Sequence, residues 1–300
     1  MAEIIFLGTG CMQPTKTRNH AGVLLSYKKE NILFDCGEGI QRQMRIAGVK
    51  PAKITRLCIS HWHGDHVFGI PGLLSSMGAD RNGQEEEQML HIYGPKGSTV
   101  YLTNMFKSFA AKDIIPYEVH EVTAGKAYEG EDFVLEVQRL EHSVTCVGYS
   151  FHEKDKLRID VAKAKKLGLE GPILGKLQQG QDVTVKGKKI KAKEVTYAVI
   201  GKKISYVTDT IPCKGADLLA KDADLLICEG THLDEILEKS EKSGHMTVKQ
   251  AALIASENNA QKLVLTHISQ RYKVPSEIIE EARTYFDNSS VAEDFMKINL

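Results

Sequence analysis

Charge of neither sign prevails in this 300-residue chain: 39 Lys and Arg stand against 39 Asp and Glu, and the isoelectric point is near 7.2. No global field announces nucleic acid, so any basic surface must be local. No apolar run approaches the length of a membrane span, and the start, Met1-Ala2-Glu3-Ile4-Ile5-Phe6, lacks the basic region and cleavable apolar core of a secretory leader. A soluble, cytoplasmic protein with no membrane partner is expected. Cysteine is sparse and scattered: Cys11, Cys36, Cys58, Cys146, Cys213 and Cys228 form no C-x-x-C pair and mostly sit in apolar runs. Reduced core thiols are expected in place of bridges or thiolate metal ligands. Gly8-Thr9-Gly10 lacks a G-x-x-G continuation and a following helix, which leaves a tight turn and not a dinucleotide site.

What is present suits a substantial core, with 42% hydrophobic and 26% charged residues. Such a chain can form one large α/β domain or two small ones. One stretch stands apart: Ser60-His61-Trp62-His63-Gly64-Asp65-His66, directly after the β-favouring run Leu57-Cys58-Ile59. His61 and His63 are two apart, so at an extended strand end their imidazoles point to the same side, while Asp65 and His66 are adjacent and must diverge. One short loop can thereby serve two neighbouring cations. Imidazole and carboxylate donors suit zinc, though they also accept Mn, Fe or Co, and the absence of thiolates fits an open catalytic site better than a closed structural one.

Apolar runs that end in polar residues recur along the chain. Ala21 to Tyr27 and Asn31 to Asp35 predict a hairpin, and a carboxylate at Asp35 is placed to orient a ligand imidazole from behind. Gln41 to Gly48 is helical in period, as is Val67 to Met77 despite Pro71; Ala79 to Gln88 is a polar loop; Met89 to Tyr93 is a strand and Ser98 to Ala111 a helix. The strands Tyr117 to Val122 and Phe133 to Leu140 lead to His142, which the first cluster makes a candidate third ligand. Later, Lys203 to Val207, Asp224 to Cys228 and Lys262 to Leu265 read as strands that stop at Asp209, Glu229 and His267. In α/β folds sites gather at the carboxyl ends of parallel strands, so these residues can converge on the first cluster. Glu235 to Lys242 reads as a charged helix, Thr247 as the N-cap of an amphipathic helix Val248 to Asn258, and Pro275 to Phe286 as a last amphipathic helix.

Between residues 153 and 203 the composition shifts. Fourteen Lys and Arg meet six Asp and Glu, leaving plus eight here and minus eight elsewhere. Val161 to Leu169 predicts a short helix, Gly171 to Gly180 a turn-rich segment and Asp182 to Val199 a two-stranded hairpin, with apolar residues too few for an independent core. The segment reads as a basic protrusion, and like charge clustered in a neutral protein favours a polyanion partner.

Taken together, these motifs resemble the ribonuclease Z family, tRNA 3′-processing endonucleases of the metallo-β-lactamase superfamily, in the short form and over nearly the whole chain. His61, His63, Asp65 and His66 match the superfamily signature; His142, Asp209 and His267 match its later ligand positions. The loop Pro14, Lys16, Arg18, Asn19, the segment Phe34 to Gly39 with Gln41-Arg42-Gln43, and the arm beginning Gly171-Pro172 are similar to ribonuclease Z itself. Cys228, Gly230 and Met246 depart from the residues usual there. The resemblance implies a four-layer αβ/βα sandwich, residues 1–152 and 204–300, with 153–203 inserted as a basic arm that grips precursor tRNA. It also implies a homodimer and two zinc ions per chain: His61, His63 and His142 on one, Asp65, His66 and His267 on the other, Asp209 bridging. Asp65 would orient the attacking hydroxide, and His245 backed by Glu229 would protonate the leaving 3′ oxygen, giving a tRNA 3′ hydroxyl and a 5′-phosphorylated trailer. Lys16 and Arg18 would lie near the acceptor end, and Gly171, Pro172 and Lys176 would contact tRNA from the arm. The alternative is a phosphodiesterase of the same fold acting on small diesters, which needs neither arm nor Lys16 loop. A redox diiron relative would more often carry Glu at the place of His63.

Overall fold

Two seven-stranded sheets lie face to face in the computed structural model, which describes residues 2–80, 89–110, 114–185 and 187–300. The first runs in the order Lys297–Asn299, Ala2–Gly8, Gly22–Tyr27, Glu30–Phe34, Arg56–Cys58, Leu90–Pro95, Tyr117–Val122. The second runs Ser289–Val291, Leu263–Thr266, Leu225–Glu229, Lys203–Val207, Cys146–Glu153, Phe133–Leu140, Gly125–Glu129. Period-two alternation decides which side each residue serves. Ile4 and Phe6 point into the layer between the sheets, where they join Leu225, Ile227 and Val264, while Ile5 and Leu7 point the other way. Strands buried on both faces must be apolar throughout, and Ile4-Ile5-Phe6-Leu7 is.

Helices cover both outer faces. Ile40–Ile46, Ile70–Asp80 and Ser98–Lys107 pack on the first sheet through Ile40, Met44, Leu73, Leu74, Met77 and Leu102. Lys214–Ala220, Val248–Glu257 and Pro275–Tyr285 pack on the second through Leu219, Val248, Ala251, Ala252 and Ile278. The result is the expected four-layer αβ/βα sandwich of the α/β class. Pro71 is tolerated because it is the second residue of its helix, where no intrahelical partner for its nitrogen is needed. Thr247 caps as expected, its hydroxyl accepting from the Gln250 amide while the Gln250 side chain returns to the Thr247 amide. Among the described residues no helix is long and apolar enough to cross a membrane.

Some local expectations are corrected. The turn-rich segment is largely a helix, Pro172–Gln178, begun by Gly171 at φ 67° and by proline in its first turn. Asp182 to Val199 is more than a hairpin: Val183–Val185 pairs with Lys188–Ile190, then Ala192–Val195 is helical and Thr196–Val199 pairs with Lys156–Ile159. Nor are its apolar residues too few, because Ala164, Leu169, Leu177, Ile190, Ala192 and Val195 form a buried cluster of their own. The strands Gly125–Glu129, Ser289–Val291 and Lys297–Asn299 have too few apolar residues to announce themselves. Of the polar stretch Ala79 to Gln88, Ala79 and Asp80 close a helix and 81–88 lie outside the described residues; so does Ala111 at the end of the expected Ser98 helix, which closes at Lys107.

Candidate metal centre and active site

Parallel strands of both sheets end at one shared rim. Glu30–Phe34 delivers Asp35, Arg56–Cys58 delivers His61 and the loop behind it, and Lys203–Val207, Leu225–Glu229 and Leu263–Thr266 deliver Asp209, Glu229 and His267. Asp65 and His66 lie on the single helical turn Gly64–Val67, and His142 follows Phe133–Leu140. Asp35, Asp209 and His267 all adopt left-handed backbone, with φ of 56°, 51° and 57°. Such conformations cost on the order of 1–3 kcal/mol each and mark positions where side-chain placement outweighs local strain.

The nitrogen and oxygen atoms meet in two groups. His61 Nε2 lies 3.0 Å from His63 Nδ1, which lies 3.2 Å from His142 Nε2; Asp209 Oδ2 is 3.6 Å from His61 Nε2 and 3.9 Å from His142 Nε2. In the second group His66 Nε2 and His267 Nε2 are 3.3 Å apart, each 3.5 Å from Asp65 Oδ2 and 3.4 Å from Asp209 Oδ1. A tetrahedral ion with bonds of about 2.0–2.2 Å separates its ligands by roughly 3.3–3.6 Å, so five edges of the second group fit that polyhedron. Asp209 turns one oxygen to each group.

The partners of the Nδ1 atoms fix how the imidazoles present themselves to these two places, whose donor sets could each hold a metal ion. The Gly244 carbonyl can only accept, so His142 Nδ1 at 2.9 Å carries a proton and His142 turns Nε2 toward the cluster. Asp35 Oδ2, 2.7 Å from His66 Nδ1, likewise accepts a proton held on Nδ1. Ser60 Oγ stands 3.0 Å from His61 Nδ1, and Thr231 Oγ1 stands 3.0 Å from His267 Nδ1. In the second group these nitrogens and carboxylates face one another at 3.3–3.5 Å, and against the effect of burial Asp209 holds His66 and His267 well above their ordinary pKa, so the carboxylates draw positive charge to this place, as protons or as a bound cation. Asp35 itself is buried and takes bonds from the Ser60 amide, Ser60 Oγ and the Tyr206 hydroxyl as well as His66. Burial, with the neighbouring His66, holds His61 well below its ordinary pKa, in the ligating neutral form.

Beside the second group lies a different pair. His245 Nδ1 is 3.1 Å from Glu229 Oε2 and 3.9 Å from Asp209 Oδ2. Glu229 is fully buried and held by the Thr210 amide and the Thr231 hydroxyl, both at 2.6 Å. Burial alone would lower the His245 pKa; the Glu229 carboxylate outweighs it and raises it to about 9. With Nδ1 held by Glu229, Nε2 is left to carry a proton into the cleft. That cleft, of about 530 Å³, is lined by Met12, His20, Glu38, His63, Asp65, Phe68, His142, Asp209, His245 and His267, among others. Sequence reasoning missed the Met12 amide, which donates to Asp65 Oδ2 at 2.9 Å, and Thr231, which serves both Glu229 and His267. A backbone donor leaves no trace in a sequence, and a threonine beside a strand end is too common to signal anything.

The remaining candidates lie away from this rim. Lys16 is exposed and lines a surface cavity of about 560 Å³ with Arg42, Lys273 and Asp294. Arg18 lines the same cavity and is only 9% exposed, its Nη1 donating to Thr9 Oγ1 and the Ala292 carbonyl, both at 2.6 Å. It braces the loop against the carboxyl-terminal strands. Gly171, Pro172 and Lys176 are exposed in the arm. Of the arm's cations, Arg158, Lys165, Lys166, Lys176, Lys188, Lys191 and Lys193 make no ion pair among the described residues, whereas Lys154, Lys156, Lys163, Lys189 and Lys202 do. Cys228 is buried in the cluster that packs the outer helices on the second sheet, so that departure lies in the core. At Gly230 a Cβ would come within 2.8 Å of Leu265 Cδ2, the movable end of a leucine side chain.

Comparison with known proteins places the chain. Residues 2–159 match the family model described as Anti-Pycsar protein Apyc1, and residues 178–268 match the Beta-lactamase superfamily domain. The ribonuclease Z of Methanothermobacter thermautotrophicus is 41% identical over 303 residues, covering 100% of this chain and 97% of the relative. The crystal structure of human tRNase Z, short form, superposes with a TM-score of 0.71 at 30% identity, covering 99% of this chain and 98% of that one. The metallo-β-lactamase fold protein YhfI of Bacillus subtilis, TM-score 0.72 at 19% identity and covering 99% and 98%, shares the fold. Where the Apyc1 match stops at 159, the likeness to ribonuclease Z runs on through the arm to the second half of the site. The chain belongs to the ribonuclease Z family, endoribonucleases built on the metallo-β-lactamase fold.

Proposed function

We propose that this protein removes the 3′ trailer from precursor tRNA by hydrolysing one phosphodiester, with two zinc ions per chain, and that it works as a homodimer. The observation that carries the reading is the pair of donor groups sharing Asp209, with the His245–Glu229 pair beside them. His61, His63, His142 and Asp209 would hold one ion, and Asp65, His66, His267 and Asp209 the other. Bound zinc supplies charge neutralisation at the phosphoryl oxygens and a water nucleophile near pH 7.

The chain's own residues do the rest. Asp65, fixed by the Met12 amide, orients the water for in-line attack on phosphorus. As the P–O3′ bond breaks, His245 Nε2 gives its proton to O3′, leaving a tRNA 3′ hydroxyl and a trailer with a 5′ phosphate. Glu229 keeps His245 in the protonated form and in place; such acids contribute about 10²–10⁴ in rate. The arm's unpaired cations, with Gly171, Pro172 and Lys176 among its exposed residues, hold tRNA phosphates without reading bases. Lys16 lies near the acceptor end, and Arg18 shapes its loop.

The test is product mapping on a 3′-extended precursor tRNA with zinc supplied. A single cut that leaves a 3′ hydroxyl on the tRNA is expected. Turnover of small diesters with the precursor left intact would favour the small-diester phosphodiesterase instead.

A further inference from the structure

At the opposite end of the first sheet a second group of ligand-type side chains meets. His91 lies near the start of Leu90–Pro95, and Glu118 and His120 lie on the neighbouring Tyr117–Val122, which is the sheet's edge strand. Register sets His91 beside Glu118 and Tyr93 beside His120, so the three side chains share the face that Tyr93 presents to the inner layer. His91 is paired on its other side with Arg56, at the amino-terminal end of the strand whose far end feeds His61. The group is thus separate from the hydrolytic site.

We propose that His91, Glu118 and His120 form a further metal site for one divalent ion of the zinc class, which clips the edge strand to its neighbour. His91 Nδ1 and His120 Nε2 are 3.2 Å apart, and Glu118 Oε2 is 3.5 Å from the first and 3.6 Å from the second. The carboxylate distances exceed those of ordinary hydrogen bonds. They match the roughly 3.3–3.6 Å edges of a tetrahedron with ligand bonds of about 2.0–2.2 Å, and a fourth position stays open to water. Among the described residues Glu118 makes no other ion pair, so the carboxylate remains available to a cation.

The His120 ring stacks on Tyr93 at 4.7 Å between centroids and 19° between planes, which fixes its orientation, and Tyr93 is buried. His91 is half-buried, with Arg56 beside it on the neighbouring strand. Arg56 is itself paired with Glu30, which offsets the repulsion a cation would meet there. An edge strand has one hydrogen-bonded neighbour, and a metal bridging to that neighbour adds constraint where the ladder is weakest.

The test is a metal count on the full-length chain dialysed against micromolar zinc, compared with His91→Gln/His120→Gln. Wild type is expected to hold one equivalent more than the double variant, and its Co2+-substituted form to show an absorption component the variant lacks, with turnover of a chromogenic diester unchanged. Equal counts and identical Co2+ spectra would overturn the proposal and leave a hydrogen-bonded imidazole pair. Should the double variant fold poorly, Glu118→Gln keeps the shape of an exposed side chain: the extra equivalent should bind about tenfold more weakly or worse, and unchanged affinity overturns the site. The comparison is between variants, so it stands whatever the hydrolytic site contains.

Discussion

The metal-site rim and the basic arm use charge in opposite ways. At the rim His61, His66, Asp209, Glu229 and His267 are at most 2% exposed and each is held by a hydrogen bond, Asp209 by one from the Thr208 hydroxyl. In the arm, Lys165, Lys166, Lys176, Lys188, Lys191 and Lys193 are exposed and make no ion pair among the described residues. Buried charge of this kind is geometry: moving one oxygen disturbs both donor groups. Exposed charge is a sum, in which each lysine adds a phosphate contact and none is indispensable. Chemistry should therefore respond steeply to single substitutions at the rim, and substrate affinity gradually to accumulated ones in the arm.

The largest effect should come from Asp209→Asn, which removes the charge shared by both groups. Turnover of tRNA and of a small diester should fall on the order of 10³-fold or more, about 4 kcal/mol in the barrier, with loss of bound metal in elemental analysis. His245→Ala separates metal binding from proton delivery. It should retain its metal yet lose about 10²–10⁴ in precursor cleavage, and much less on a diester whose aryl leaving group needs no proton. Equal losses on the two substrates would remove His245 from the role of acid.

Neutralising Lys165, Lys166, Lys188 and Lys193 together should leave small-diester turnover alone and reduce the slope of log affinity for tRNA against log salt by about 3 units, at roughly 0.7–0.9 per phosphate contact. A single neutralisation should be barely measurable. Smallest of all is an acid effect on stability. His232, buried beside His245, titrates at about 4, with burial the main cause. Its folded pKa lies below the unfolded one, so its contribution is complete above about pH 6.5 and is lost as pH falls through about 4. His232→Asn should flatten that part of the melting-temperature profile.

Much of the rim was legible because ligand chemistry restricts residue type and strand ends restrict place. The run His61 to His66, and the strands stopping at Asp209, Glu229 and His267, carry both signals at once. Asp35 was legible for the same reason, as a carboxylate closing a strand, and it does hold His66. The split of atoms was not: His63 offers Nδ1 where His61, His66, His142 and His267 offer Nε2, which depends on ring orientation set by neighbours distant in sequence. Arg18 shows the converse. The family resemblance placed it near the acceptor end, but nothing in the sequence shows that its guanidinium is tied to the Ala292 carbonyl, 274 positions away. In the arm, short elements around a six-residue buried cluster gave patterns too brief for period to declare, so a helix at Pro172–Gln178 passed for a turn.

The central claim is that the rim supplies chemistry and the arm supplies the tRNA. The most direct measurement replaces residues 153–203 with a short Gly/Ser linker and compares it with the full chain on a 3′-extended precursor tRNA and a chromogenic bis-aryl phosphate, both with zinc. Loss of precursor cleavage with the small diester still turned over is the predicted result. Precursor cleavage that survives the replacement at undiminished kcat/KM would contradict the account, because the tRNA would then be held by the rim alone.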